Sequence, residues 1–504
     1  MCDFFCVILH YVIRNINHMK KKTSQQPEWV LQHRKPGTEI RKFGNKYYVY
    51  EVKGFYDKEK KKSRKKTVCF LGTISESSGF VEAKTKRVPR NYKSIDIESV
   101  STKEYGLGAF IRSWCSDIVE SLKECFPMQW EWILVALYCR LLHTSPLKNM
   151  GYYYRKSFLS EELDVSVTPA AISRMLKDLG KDRVPLANYM KRLSGSEKHS
   201  MMLIDATSII SYSENLSRVD IGLSKQHNYE PLFNLLYFYS PESYLPAYYR
   251  LFNGNIKDVT MLSTAIKESG YKDTVIIADR GFYSESNIRL LEQESLQYII
   301  PLKRNSNLID YKRYESLTQN SNNFLFEGRV IYHDSYTVDG RTIYLFTDEQ
   351  MMVKEKRDYV MRIEKGSNGY TQEEFVKKMS QFGSFSVITN LNTDAQTLFL
   401  GYKSRVYVEV LFDGVKNILG NDYTYMHNDD ALEGWMFINH LALIVHHKIY
   451  ALLKQNNLIS KYSVRDFIEY LADVRKMKIN DEWIVEPIVL EQKKLLQKLN
   501  VHIT

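Results

Sequence analysis

Proline and glycine are scarce, at 12 and 23 of 504 residues, which excludes a collagen-like or linker-dominated chain. No apolar run approaches the ~18 residues that read as a spanning helix, so no membrane partner is expected. The six cysteines (Cys2, Cys6, Cys69, Cys115, Cys125, Cys139) form no C-x-x-C pair and have no histidine at zinc-finger spacing, which argues against structural zinc. Reduced thiols in the cytoplasm are the default setting. Apolar material is not lacking: with 44% hydrophobic and 26% charged residues the chain is too rich for disorder, and its length provides for a soluble protein of several domains.

The apolar opening, residues 2–13, follows no basic region and precedes no small-residue cleavage site, so it does not read as a signal peptide. A second, soluble-looking start at Met19 (MKKKTSQQPEW) makes residues 1–18 a candidate non-native extension.

Charge is segregated. Residues 1–93 hold 22 Lys+Arg against 8 Asp+Glu, a net of +14, and the remaining 48 against 51 leave a net of −3. A concentrated positive region is the electrostatic footprint of a polyanion partner, because each neutralised phosphate releases condensed counterions; a solubilising basic tail is the plainer alternative. Within it, KYYVYEV and TVCFLG read as two strands joined by a charged tip, GFYDKEKKKSRKK. Lys58, Lys60, Lys61, Lys62, Arg64, Lys65 and Lys66 are expected to project from that tip, either as DNA contacts or as a solvated hairpin end.

The rest of the chain divides by texture. Residues 19–100 form the basic β module and 101–199 a helical segment. In the latter, TPAAISRMLKDLG, with a Thr-Pro start and a Gly stop, fits either the second helix of a helix-turn-helix or a packing helix. Residues 200–302 alternate as β-β-β-α-β-α-β, a mixed α/β sheet; 303–395 read as an inserted, mostly β subdomain; 396–456 return to the core; and 457–504 read as a C-terminal helical region.

Asp205 follows the apolar run MMLI and Asp279 follows VIIA, so each carboxylate is expected at the C-terminal end of a core strand. A single strand-end aspartate is usually a turn or cap residue. A third element adds weight. In GYKSRVYVEVLFDGVKNILG, at about 100° per residue, Tyr402, Arg405, Glu409 and Lys416 fall within an arc of roughly 60° on one helix, beside an apolar face. An exposed Arg405/Glu409 ion pair would explain two of the four at most.

These residues resemble the DDE transposases of bacterial insertion sequences, specifically the IS-four family: IDATS around Asp205, ADRGF around Asp279, and Y-x2-R-x3-E-x6-K from Tyr402 to Lys416, with a loose likeness over residues 35–499. The resemblance implies a ribonuclease H-like mixed-sheet core with a mostly β insertion, helical flanking segments and a small N-terminal β module. It implies a DNA transposase that cleaves at terminal inverted repeats and joins the strand to target DNA, working as a homodimer in a synaptic complex and associated with the nucleoid. By the same resemblance, Asp205, Asp279 and Glu409 hold two Mg²⁺ ions, with Mn²⁺ as a substitute. Carboxylates are the right donors for such hard cations. Arg405, Lys416, Tyr402 and Arg280 would contact DNA. Some members form a DNA hairpin and stack a flipped base on an insertion aromatic; here no tryptophan occurs between 303 and 395, so a Tyr or Phe would have to serve. A DNA-binding relic without activity and a nuclease that cuts without joining are the rival readings.

Overall fold

The computed structural model describes residues 26–44, 46–57, 61–83, 100–143, 146–195, 201–223, 228–317, 322–414, 424, 426–479 and 481–503. They belong to two compact units, Met1–Glu98 and Ser99–Thr504. The candidate extension 1–18, together with Lys58, Lys60 and Lys416, lies outside the described residues.

In the first unit a short helix, Glu28–Leu31, accompanies an antiparallel sheet in the order β1 (Thr38–Phe43), β2 (Lys46–Asp57), β3 (Lys62–Ser75), β4 (Gly79–Glu82). Its core is small: Val30, Tyr47, Val49 and Ile74, flanked by Trp29, Ile40 and Leu71. The strands of the hairpin run further than the sequence suggested. Lys62, Arg64, Lys65 and Lys66 stand on β3, paired with β2, and of the expected tip cations only Lys61 is described in the turn. The cause is the aromatic pair Phe55 and Tyr56, whose preference for pleated backbone carries β2 on to Asp57.

The second unit begins with β5 (Ser101–Glu104), so the helical segment opens on a strand, and then runs through helices to Gly195. Helix Pro169–Gly180 is capped by Thr168, whose side chain accepts from the Ala171 amide. The helix ends at Gly180, its last residue, as the Gly stop suggests. An added Cβ there would stand 1.9 Å from the Asp430 carbonyl oxygen, while a Cβ on Gly434 would meet the Leu176 carbonyl oxygen at 2.2 Å. The two glycines let this helix and helix Asp429–Gln455 touch backbone to backbone, so it is a packing helix.

Helix Asp429–Gln455 is long and apolar enough to cross a membrane by length and composition, contrary to the expectation from apolar runs, and 83% of its most apolar window is buried within the protein. Its apolar residues are spread over all faces because it is a core helix surrounded by other elements.

The sheet of this unit comprises β6 (Met201–Ile210), β7 (Asp220–Leu223), β8 (Tyr229–Ser240), β9 (Leu245–Asn253), β10 (Val275–Ala278), β11 (Gln297–Pro301), β12 (Asn323–Phe326), β13 (Arg329–Val338), β14 (Arg341–Asp348) and β15 (Ser384–Thr389). Their order is β12-β13-β14-β15-β11-β10-β6-β8-β7, with β9 also on β8. Strands β6, β10 and β11 are parallel and the flanking pairs antiparallel, a mixed sheet in an α/β unit. β10 is buried at every position, which is why VIIA is a continuous apolar run.

Residues 303–395 are not a separate β subdomain. β12, β13 and β14 continue the same sheet through β15, and the remainder includes helices Glu349–Glu364 and Gln372–Lys377. The half-exposed alternation of β13 gives it a polar texture, which on sequence alone mimics an independent sheet. Residues 457–504 likewise include strands, β16 (Arg475–Ile479) and β17 (Glu482–Val485), with β16 pairing both β17 and β5.

Candidate active site

Parallel pairing of β10 with β6 matches Val275 to Met201 and, at its end, Ala278 to Ile204. The next residue in each case is an aspartate, so Asp279 and Asp205 lie side by side. Asp205 is not at a strand end, however. β6 runs on to Ile210 against β8, with Asp205 opposite Tyr237, because ATSII remains a good strand sequence. Asp279 caps the turn Arg280–Phe282, and its neighbour Arg280 is exposed.

A single guanidinium joins the two acids. Arg405 donates from Nη1 to Asp279 Oδ1 at 3.0 Å and from Nη2 to Asp205 Oδ2 at 3.4 Å, and Nη1 also reaches the Tyr402 hydroxyl at 3.2 Å. The side chains are partly open to solvent, at 18% for Arg405, 23% for Asp205 and 42% for Asp279. Burial works against the Arg405 charge, but the Tyr402 phenol and the two carboxylates outweigh it and shift its pKa upward. Burial pushes the Tyr402 phenol up, and Arg405 partly offsets that. As placed, Arg405 binds the two acids to each other.

The single helix expected across 402–416 is broken. Helix Ala395–Lys403 ends at Ser404, and helix Val406–Asp413 starts afresh, so Tyr402 and Arg405 stand at the junction. The break turns Arg405 toward the sheet. Val408 and Phe412 bury one face of the second helix, which lies against β6, and Glu409 is exposed. Among the described residues, no group of three His, Cys, Asp or Glu is placed to hold a metal ion. Asp205 and Asp279 meet at the Arg405 guanidinium, and Glu409 is not grouped with them.

Two contributors escaped sequence reading. Asp258 opens helix Asp258–Ser269, and its Oδ2 lies 2.5 Å from where a Cβ on Gly281 would be, which explains the glycine of ADRGF. Burial and then the neighbouring Asp279 raise the Asp258 pKa, with Lys303 acting against them. Phe385 of β15 lies 4.7 Å from the Tyr402 ring, centroid to centroid. With Asp279, Arg280, Arg304 and Tyr402 it lines a cavity of about 410 Å³ beside the acids. Neither residue sits in a recognisable motif; the only signal was an acid in the first turn of a helix.

Residues 196–445 match the family described as the transposase DDE domain, which supports a DDE transposase. Among solved structures the chain is similar to a piggyBac transposase synaptic complex with hairpin DNA, at 10% identity and a TM-score of 0.38, covering 73% of this chain and 79% of that one. No curated protein matches.

Proposed function

We propose that the chain is a DNA transposase that cleaves at the terminal inverted repeats of its element and transfers the freed strand to target DNA, on a ribonuclease H-like core and as a homodimer. The observation that carries this reading is the convergence of Asp205, Asp279, Arg405 and Tyr402, drawn from three separate stretches of chain, beside an open cavity. Divalent ions such as Mg²⁺, when bound, activate the attacking oxygen and stabilise the leaving one.

Asp205 and Asp279 supply hard oxygen donors from adjacent strands, so their spacing is fixed by the sheet. Arg405 sets their orientation. Glu409 is one helical turn beyond Arg405, and as the third acid it would join them through movement of its short helix about Ser404 and Arg405. Arg280 and the cavity wall face the scissile strand, and Lys416 is assigned to flanking phosphate. The basic first unit binds the ends.

The rival reading, a DNA-binding relative without cleavage, draws on one observation, the separation of Glu409 from the two aspartates. Asp205→Asn, Asp279→Asn and Glu409→Gln are each expected to abolish Mg²⁺-dependent cleavage of an end-bearing duplex, with gel-shift affinity held within a few-fold. Cleavage surviving in any one of them removes that residue from the site; no cleavage by the unaltered chain on its own ends favours the rival.

A further inference from the structure

Among the described residues, the outer half of the first unit's hairpin has no third strand. β1 pairs only residues 46–51 of β2, and β4 pairs only residues 72–75 of β3. Beyond them, residues 53–57 and 62–66 form a two-stranded ribbon in regular register: Lys53 opposite Lys66, Gly54 opposite Lys65, Phe55 opposite Arg64, Tyr56 opposite Ser63 and Asp57 opposite Lys62. The buried core of the unit lies elsewhere, at Val30, Tyr47, Val49 and Ile74. A bare two-stranded ribbon is marginal in water. Most of its cationic side chains are exposed.

Residues directly opposite in an antiparallel pair share a face, and side chains alternate between faces along each strand. One face therefore carries Lys53, Lys62, Arg64 and Lys66 around Phe55, with Asp57 the single acid; all but Asp57 are exposed. Arg64 bonds Asp57 across this face at 3.2 Å. The other face carries Tyr56, Ser63 and Lys65, and Lys65 lines a cleft in the unit itself, together with Glu28, Arg34 and Glu39.

We infer that the ribbon enters the major groove of duplex DNA by the Lys53, Lys62, Arg64 and Lys66 face. This rests on DNA being the partner and adds which face meets it. Charge complementarity commits the occupant: four cations against one acid on a strip about 17 Å long at ~3.4 Å per residue. The shape agrees, since a groove ~12 Å wide and ~8.5 Å deep admits a two-stranded ribbon. Phe55, amid the cations, would contact sugar or thymine methyl groups.

Lys65 and Lys66 make the test sharp, being neighbours in sequence with equal charge and opposite faces. In the full chain, Lys66→Gln and Arg64→Gln are each expected to weaken binding to an end-bearing duplex about tenfold and to make the log K against log salt slope shallower by about 1. Lys65→Gln should stay within twofold with the slope unchanged. Asp57→Asn, which removes the one acid, should tighten binding. N7 methylation of guanines in the bound site should interfere with the unaltered chain.

Equal losses in Lys65→Gln and Lys66→Gln overturn the face assignment, and binding indifferent to N7 methylation overturns the groove. Equal affinity for single-stranded DNA or RNA overturns a duplex occupant. Failure of the unaltered chain to bind any end-bearing duplex is a different result, since it overturns the transposase reading beneath. Circular dichroism of each variant guards against loss of fold, and the exposed Arg64, Lys65 and Lys66 should leave it unchanged.

Discussion

Two arginine-centred clusters in the larger unit use the same chemistry to opposite ends. Arg405 joins Asp205 and Asp279 and touches Tyr402; Arg183 joins Glu268 at 2.8 Å and Glu433, and donates to the Tyr249 carbonyl. Both tie together segments distant in sequence. They differ in what lies outside. Asp279 is 42% exposed and borders a cavity, whereas Glu433 is 2% exposed and is also met by Arg218, with Arg250 completing the cluster on Glu268. A carboxylate as buried as Glu433 can only hold elements together, and one with an open edge like Asp279 can also meet a ligand, while Glu268 and Asp205 are alike at 19% and 23% exposed. Burial of one acid, more than the pairing, distinguishes the two.

The widest separation should come from removing each arginine in turn. Arg183→Leu leaves Glu433 with Arg218 alone and Glu268 with Arg250 alone; breaking a buried pair costs about 3–5 kcal/mol, and the remaining cations should hold the loss to the lower end of that range. Arg405→Leu leaves two carboxylates that water can reach, so its cost should stay near the ~0–1 kcal/mol of partly exposed pairs. Denaturant midpoints at constant slope measure both. Equal destabilisation would erase the distinction. Cleavage should respond in the reverse order, with Arg405→Leu losing it while still folded.

Acid should act on the closed region. His440 packs between Tyr237 and Tyr249, next to the Arg183 cluster, and burial followed by the Arg183 charge holds its pKa down to about 3; burial followed by His446 does the same for His447, also to about 3. Their folded pKa values lie below the unfolded one, so the stability they contribute is present above about pH 6.5 and is lost as pH falls toward 3. Each histidine should cost about 1.4 kcal/mol per pH unit inside that window. Thermal melts from pH 6 to pH 4 should show the slope, and His440→Phe should reduce it by about one proton. An unchanged slope would mean that His440 charges in the folded state.

Much of the open cluster was legible because its residues sit in short local patterns. MMLI and VIIA mark β6 and β10 by apolar character alone, and the aspartates that follow them do emerge together. What could not be read was anything set by pairing at a distance. The continuation of β6 past Asp205, the joining of β13 and β14 to the main sheet through β15, and the closeness of Asp258 to Gly281 are all tertiary facts. The helix from 402 to 416 failed for a different reason. Helices do form on both sides of the break, at Ala395–Lys403 and Val406–Asp413, and neither Ser404 nor Arg405 is a proline or glycine that would announce it. The closed cluster left no trace, since Arg183, Glu268 and Glu433 lie on three separate elements and each looks like a surface charge on its own helix.

The finest test concerns the edge of the open cluster. A methyl at position 281 would meet only the Asp258 carboxylate, at 2.5 Å, and that side chain can swing aside. Gly281→Ala should therefore alter stability by less than about 1 kcal/mol, in the range of ordinary single substitutions away from the core. The site should feel it more. Helix Asp258–Ser269 contacts the turn that follows Asp279, and Asp258 adds negative charge beside it, so displacing that side chain is expected to shift Asp279 relative to Asp205. Cleavage of an end-bearing duplex should fall at least tenfold while the denaturant midpoint barely moves, and Asp258→Asn, which keeps the shape and removes the charge, should fall less. If Gly281→Ala cleaves normally, the two aspartates owe their alignment to the sheet and Arg405 alone; if it unfolds the chain, the turn belongs with the closed, structural kind of cluster.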